Sequence, residues 1–394
     1  MYRTVKTPFR ANRNVIQDLF QIRHQCGDIW NDCVELARYY YRLGDSWITK
    51  SQLQAELKGK YPLHSQTVQA VCHKFLQARD GVKEARKANK KIRYPYKRKF
   101  VFNPKWVDKA FSLEGNILKL SLGNWNGKRQ APLVLKLAQV PNGEVKEVEL
   151  VFDRTLQLCL SYDDGCEASP STGAHTTAID VGEIHTISAV STNEQAIIIT
   201  GRQMRSIHRL RNKKLRELQK LMSRCQKGSR QWKKYNRAKR YVLSKSEVQL
   251  RDVLHKTTKS FVDWCISQEV KHVVIGDVEG VQRNTSKRSK NRKRKMHRHT
   301  NQKLSNWSFG RLYSYLSYKL DAKGISIAKE DESFTTQTCP ACGKRNKCRG
   351  RAYRCRCGYT KHRDIHGAAN FLSKHLHGRF QEMSIDDIMY LRPS

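Results

Sequence analysis

The chain has 394 residues, with 76 Lys or Arg against 35 Asp or Glu and a formal net charge of +41 at pH 7. A basic excess of this size indicates a polyanionic partner, usually nucleic acid, and disfavours a plain solvated surface. The N-terminal "MYRTVKTPFR" shows neither a targeting segment nor a long apolar run. We therefore expect no membrane partner and a cytoplasmic location.

The first 165 residues change their hydrophobic period twice. Residues 11–90 carry apolar positions at helical spacing, whereas residues 91–165 alternate or run apolar with Gly and Asn turns between them. Residues 1–10 read as a further strand. The pattern predicts a small β-barrel from residues 1–10 and 91–165, with a helical domain inserted at 11–90.

A second unit follows a linker at 166–176. Paired strands begin at Thr177, two long basic helices are predicted at about 203–225 and 229–268, and the apolar run "HVVIGD" reads as a buried strand. A helix at about 304–322, the strand "GISIA" and a last helix from about 364 complete the unit. The tail, 379–394, has no readable motif.

Five of the 12 Cys lie between residues 339 and 357. Cys339-x2-Cys342 and Cys355-x-Cys357 can place four thiolates tetrahedrally around a structural Zn²⁺, with Gly343 and Gly358 in the knuckle turns. Cys348 is a bystander. The other cysteines are scattered singly, which is typical of a reducing compartment rather than of a disulfide scaffold.

Basic and aromatic residues provide candidate nucleic-acid contacts. The run 283–303 has no apolar face and would neutralise phosphates without reading sequence. Tyr39 and Tyr40 could stack on bases, although core packing is the competing interpretation, and "YKRKF" is a basic entry to the barrel. The predicted contacts are Arg283, Lys287, Arg288, Lys290, Arg292, Lys293, Arg294, Lys295, Arg298, Tyr39, Tyr40, Lys97, Arg98 and Lys99.

Two carboxylates stand at the ends of apolar segments. Asp180 ends the strand "TTAID", and Asp364 opens the helix "RDIHGAANFL". Taken alone, Asp180 is explained by a turn at the end of a strand, and Asp364 is explained by a helix N-cap. In a basic chain with a zinc cluster, they suggest acids gathered at strand ends, which can hold two Mg²⁺ about 3.5–4 Å apart for phosphodiester hydrolysis.

The motifs "AIDVGEIHTISAV", "CPACG…CRCGY" and "HRDIHGAANFL" resemble the RuvC-like nuclease of the TnpB proteins of bacterial insertion sequences, relatives of type V CRISPR effectors. "TNQKLSNWSFGRL" and "ESFTTQTCPACG" are also similar to that family. The likeness is strong over about 177–376. The N-terminal half matches mainly in the order and size of its modules.

The resemblance implies an α+β multidomain protein. Residues 1–10 and 91–165 would be a wedge β-barrel, with an inserted helical recognition domain at 11–90. Residues 177–337 and 359–378 would be a RuvC/RNase H-like α/β nuclease, with an inserted zinc ribbon at 338–358 that binds target nucleic acid.

The resemblance also implies an RNA-guided DNA endonuclease of a mobile element that cuts next to a short motif. Its partners would be an element-derived guide RNA and double-stranded target DNA, and it would act as a monomer or homodimer on RNA. Asp180 would be the first RuvC acid and Asp364 the third. A nuclease-inactive RNA-guided repressor and a compact type V CRISPR effector are the alternatives.

The second acid departs from the family pattern, because Gly276 stands where a Glu is usual. Asp277 or Glu279 could substitute, or the acid could be relocated to Glu332, as in some branches of the family. We favour Glu332, because parallel neighbouring strands lie about 4.8 Å apart and a Glu side chain spans that gap. Glu330 is a lesser candidate. The predicted Mg²⁺ ligands are therefore Asp180, Glu332 and Asp364.

Overall fold

The computed structural model describes residues 1–44, 46–167, 170–278, 297–348 and 350–393. It divides into two compact units, Met1–Cys166 and Glu167–Ser394. Across the described ranges, every helix is too short or too polar to span a bilayer.

The first unit combines three helices with two four-stranded sheets. The helices are α1 (Arg13–Gly44), α2 (Lys50–Leu57) and α3 (Ser65–Ala88). The strands are β1 (Tyr2–Thr7), β2 (Phe9–Arg10), β3 (Lys105–Val107), β4 (Phe111–Glu114), β5 (Ile117–Leu120), β6 (Asn124–Trp125), β7 (Lys128–Arg129), β8 (Leu133–Leu137), β9 (Glu144–Asp153) and β10 (Thr155–Asp163).

The N-terminal strands belong to the same sheets as the strands beyond residue 100. The two sheets have the orders β1-β10-β9-β3 and β2-β8-β5-β4, and β6 and β7 form a separate hairpin. The helices therefore lie in an insertion between β2 and β3. One core joins the two layers, with Leu19 and Phe75 from helices and Trp106 and Leu160 from strands among its buried members.

The second unit is built on one mixed sheet. Its strands are β11 (His175–Asp180), β12 (His185–Ser191), β13 (Gln195–Thr200), β14 (Val270–Gly276), β15 (Ser326–Glu330) and β18 (Asp387–Leu391), in the order β15-β14-β11-β12-β13-β18; β16 (Ala352–Arg354) and β17 (Thr360–His362) form a hairpin. The helices are α4 (Arg202–Ser223), α5 (Arg230–Ser267), α6 (Arg298–Asn306), α7 (Phe309–Asp321) and α8 (Arg363–His377).

The two faces of this sheet are covered by different helices. Ile179 and Ile275 pack in one buried cluster with residues of α5 and α7. Ala178 and Val274 pack in another with residues of α8. Because side chains alternate along a strand, Asp180 and residue 276 belong to the α8 face.

One prediction about this unit was wrong. The helix expected at 304–322 is interrupted, because Trp307 has an extended backbone that ends α6 and Ser308 precedes α7. The tail, 379–394, in which the sequence showed no readable motif, contains β18, which extends the sheet in parallel with β13. Its residues are largely exposed, so no alternation of apolar and polar positions marked the strand.

Candidate active site and zinc-ligand cluster

The carboxyl ends of three parallel neighbouring strands meet at one edge of the sheet. Ile179 pairs with Ile275, and Gly276 pairs with Glu330, so the ends of β11, β14 and β15 are level. The predicted parallel pairing of β14 with β15 is confirmed. Asp180, position 276 and the loop after Glu330 therefore converge at this edge.

The space beside Gly276 is filled by the Glu332 carboxyl group. A Cβ atom added at Gly276 would lie 1.7 Å from Oε2 of Glu332, 2.4 Å from its Cδ and 2.9 Å from its Cγ. Real Cβ atoms do not approach other atoms this closely. The Glu332 carboxylate thus occupies the position that a side chain from residue 276 would take.

A second glycine makes room for Asp180. Helix α8 crosses the same edge, and a Cβ added at Gly367 would lie 2.3 Å from Oδ2 of Asp180. Asp364 is in the first turn of that helix. The close approach of α8 to β11 therefore brings Asp364 to the same edge as Asp180.

Burial and mutual repulsion shift the acidity of two of these groups. Burial raises the pKa of Asp180 to about 8, and the negative charges of Glu332 and Asp364 add to the shift while Arg363 opposes it. Burial also raises the pKa of Glu332 to about 7, with contributions from Asp331 and Asp277. Carboxylates held this close are stabilised as anions by a bound cation.

Asp364 has partners that the sequence did not reveal. Nδ1 of His185 lies 2.6 Å from Oδ2 of Asp364, and the His185 side chain is only 4% exposed. Arg351 places its guanidinium 3.7 Å from the same oxygen. The ligand atoms of His185, His362 and Asp364 all lie within 4.8 Å of one another. A His two residues before the helix acid was the signal available for His362.

Asp180 and Asp364 open into a cleft of about 490 Å³. Its walls include Asp180, Asp364, Arg351 and Arg363. Across the described part of the chain, Asp180, Glu332 and Asp364 do not form one compact ligand set within 4.8 Å. Their carboxylate oxygens are hard donors of the kind that Mg²⁺ prefers.

The other candidates for the second acid have different surroundings from Glu332. Asp277 is exposed, and its backbone N–H donates to the Glu330 carbonyl at 2.8 Å. The Glu330 carboxylate lies 2.9 Å from Nδ1 of His375. Glu279 lies outside the described residues. Among the described candidates, only Glu332 fills the space at position 276 in the structure.

The four predicted zinc ligands converge. Sγ of Cys339 lies 3.6 Å from that of Cys357, and Sγ of Cys342 lies 3.5 Å from that of Cys355. All four sulfur atoms lie within 4.8 Å of one another. Tetrahedral Zn–S bonds of about 2.3 Å put sulfur atoms about 3.8 Å apart, so the cluster fits Zn²⁺.

The remaining features of the ribbon agree with this cluster. Gly343 and Gly358, at φ +69° and +96°, form the turns after each Cys pair. Cys348 instead donates to the carbonyl oxygens of Gly350 and Ala352. Buried Tyr353 stacks on His366 of α8 at 3.7 Å, so the ribbon packs on the helix that carries Asp364.

The predicted nucleic-acid contacts fall into three groups. Tyr39 is 59% exposed, whereas Tyr40 packs against the core and donates to Glu56. Arg98 pairs with Glu35 at 2.9 Å, and Lys99 places its ammonium 3.2 Å from the Trp30 ring centre. Lys97 and Arg298 are exposed. Arg283, Lys287, Arg288, Lys290, Arg292, Lys293, Arg294 and Lys295 lie outside the described residues.

Two family models match parts of the second unit, and one of them begins in the last strand of the first unit. Residues 157–282 match a model described as a probable transposase, OrfB of IS605 type, and residues 309–371 match the Cas12f1-like TNB domain. A TnpB-like protein of Methanocaldococcus jannaschii is 26% identical over 214 residues, which cover 52% of this chain and 71% of the relative.

The chain resembles TnpB-like proteins over about half of its length. It is also 34% identical over 71 residues to the CRISPR-associated endodeoxyribonuclease Cas12f1 of Sulfoacidibacillus thermotolerans, over 17% of each chain. Its fold is similar to that in a Cas12f1-sgRNA-target DNA complex, with a TM-score of 0.66 and 15% identity, covering 91% of this chain and 82% of the other.

Proposed function

We propose that this protein is a TnpB-family RNA-guided DNA endonuclease of a mobile element, cutting next to a short motif, with Asp180, Glu332 and Asp364 as its catalytic acids. The observation that carries the proposal is the fit between Gly276 and Glu332. A retained carboxylate in the space of the missing one supports a working nuclease over an inactivated descendant.

Each acid would have a distinct part in the reaction. Asp180, Glu332 and Asp364 would hold the Mg²⁺ ions, Asp180 from the end of β11, Glu332 from the loop after β15 and Asp364 from the first turn of α8. Mg²⁺ bound there would supply Lewis-acid activation of the phosphodiester and of the attacking water. His185 would hold the Asp364 carboxylate in one orientation, since its ring is buried and cannot swing away.

The basic side chains of the cleft would orient the substrate. Arg351 and Arg363 line the cleft with Asp180 and Asp364. Their charge would hold a phosphate group against the carboxylates, which would otherwise repel it. Arg351 immediately precedes the ribbon strand β16, and its carbonyl accepts from the Arg363 amide at 2.7 Å. A Zn²⁺ held by the four cysteines would fix this arrangement.

The first unit would serve as the wedge and recognition modules. Its strands from residues 1–10 and 91–165 and its helices from 11–90 have the family order. The relative of similar fold is a complex with single-guide RNA and target DNA. Guide RNA and double-stranded DNA are therefore the partners we propose for this chain, and its net charge of +41 supports both.

One experiment tests this function. The protein is purified with RNA co-expressed from the flanks of its gene, the bound RNA is sequenced, and the complex is incubated with a plasmid library of randomised flanks and Mg²⁺. We expect cutting of library members that match the RNA and share one flanking motif. Matched binding without cutting by the wild type would refute the nuclease and favour the repressor.

The source of the bound RNA distinguishes the mobile-element nuclease from the other candidate function. The match to the Cas12f1-like TNB domain makes a compact type V effector the second candidate. RNA reads from the end of an insertion element support the TnpB role, whereas reads from a repeat–spacer array support the effector.

A further inference from the structure

A second cleft adjoins the one that contains the carboxylates. It has a volume of about 650 Å³ and lies between α4 and α6. Glu183 and Trp307 line both clefts. A ligand that follows the second cleft therefore arrives at Asp180 and Asp364 without crossing another part of the unit.

The walls of this cleft are two matching helix faces. On α4, Arg202, Arg205, Arg209, Asn212 and Arg216 recur every three or four residues and so share one face. On α6, the facing positions are His299, Gln302, Lys303 and Asn306. The fourteen steps along the helix from residue 202 to residue 216 rise about 21 Å at 1.5 Å per residue.

The helices are held together beside the cleft. The Arg211 guanidinium donates to Oδ1 of Asn306 at 2.8 Å. Trp307 ends α6 and packs against Phe309 in the core beneath the sheet. The groove is thus anchored to the same rigid body that carries the carboxylates.

The charged side chains that line the groove are mostly positive. Arg202, Arg205, Arg209, Lys213, Arg216 and Lys303 line it, and Glu183 is the one acid among its described lining residues. Glu183 pairs with Arg205 at 3.1 Å, at the end of the groove nearest the carboxylates. Arg209, Lys213 and Arg216 extend the positive charge along α4 away from that end.

We propose that this groove binds the phosphodiester backbone of a single DNA strand and leads it into the carboxylate cleft. The inference rests on the proposed nuclease function and specifies the path of its substrate. At about 3.4 Å per nucleotide of a stacked strand, 21 Å accommodates about six nucleotides. Polar Asn212, Gln302 and Asn306 add hydrogen-bond donors without demanding a particular base.

A charge-removal series on one helix tests the groove. The first variant carries Arg209→Gln, Lys213→Gln and Arg216→Gln. The control carries Lys214→Gln, Lys220→Gln and Arg224→Gln, which remove the same charge from α4 and its C-cap residue outside the groove. Both are made in the RNA-bound protein with Asp180→Asn, so that binding of a labelled 12-nucleotide single strand is measured by fluorescence anisotropy without cutting.

The groove variant is expected to bind the strand about tenfold to a hundredfold more weakly at 0.1 M salt than its Asp180→Asn parent. Its slope of log affinity against log salt is expected to be shallower by about 2, from three lost contacts at about 0.7 each. The control is expected to stay within about twofold of that parent. Equal weakening in both variants would show a general charge effect and overturn the groove.

The amount of co-purified RNA separates DNA from RNA as the occupant. It is expected to be unchanged in the groove variant, whereas a loss of RNA there would assign the groove to the guide and overturn the proposal. A wild-type protein that fails to cut would refute the nuclease alone, because strand affinity is measured without cleavage.

Discussion

A methyl group at position 276 is predicted to slow cutting about a hundredfold by displacing Glu332. In Gly276→Ala the added Cβ would lie 1.7 Å from the Glu332 carboxylate oxygen and 2.4 Å from its Cδ, so that carboxyl group must move. Relief to an ordinary contact of about 3.5 Å needs a shift of more than 1 Å, and misplacement of about 1 Å costs about 10²-fold in rate. That corresponds to about 2.7 kcal/mol of transition-state stabilisation.

The assay is single-turnover cleavage of a matched plasmid by the RNA-bound protein. Gly310→Ala is the control, because a Cβ there meets no atom within 4 Å. The exchange Gly276→Glu with Glu332→Ala returns one carboxylate to the same space and is expected to recover most of the activity. Normal cutting by Gly276→Ala would refute the steric argument, and so would an inactive exchange variant that still binds DNA.

Three further outcomes follow from the second unit. Cys339→Ser is expected to lose the bound zinc in elemental analysis, whereas Cys348→Ser keeps one zinc per chain; equal loss in both would contradict the four-ligand assignment. His185→Ala is expected to raise the Mg²⁺ concentration for half-maximal cutting about tenfold by freeing Asp364, and an unchanged requirement would exclude that role. In EDTA, the folded protein keeps the Asp180 proton up to about pH 8, because burial raises the pKa of that carboxyl group. The unfolded chain releases the same proton near pH 4. The free energy of unfolding is therefore expected to fall as the pH rises from about 4 to about 8. Asp180→Asn should flatten the decline in melting temperature from pH 6 to 8.5; a wild-type protein with no decline would refute the burial argument.

The edge of the sheet could be predicted because strand periodicity carries the necessary information. Alternation along β11 and β14 assigns side chains to faces, and parallel pairing of β14 with β15 makes a Glu after the latter a neighbour of position 276. Close Cys pairs likewise predict convergence, because a metal site leaves little freedom of spacing. The catalytic roles of these residues stay predictions until the variants are measured.

Other parts of the site depend on contacts between distant segments, which periodicity does not encode. His185 lies 179 residues from Asp364 in the chain, and only the packing of α8 on the sheet brings them together. The strand β18 is five residues long and exposed, and pairing with β13 defines it. The extended backbone at Trp307 separates α6 from α7 and borders both clefts. The apolar residues of the sequence keep helical spacing across this position, so their pattern did not reveal the break.

The most direct measurement is the cleavage rate of matched DNA by Glu332→Gln and Asp277→Asn, side by side with the wild type. Both substitutions keep the shape of the side chain and remove its charge. Glu332→Gln is expected to lose at least about 10³-fold in rate, with DNA binding retained, while Asp277→Asn stays within about tenfold of the wild type. Normal cutting by Glu332→Gln together with an inactive Asp277→Asn would contradict the relocation of the second acid.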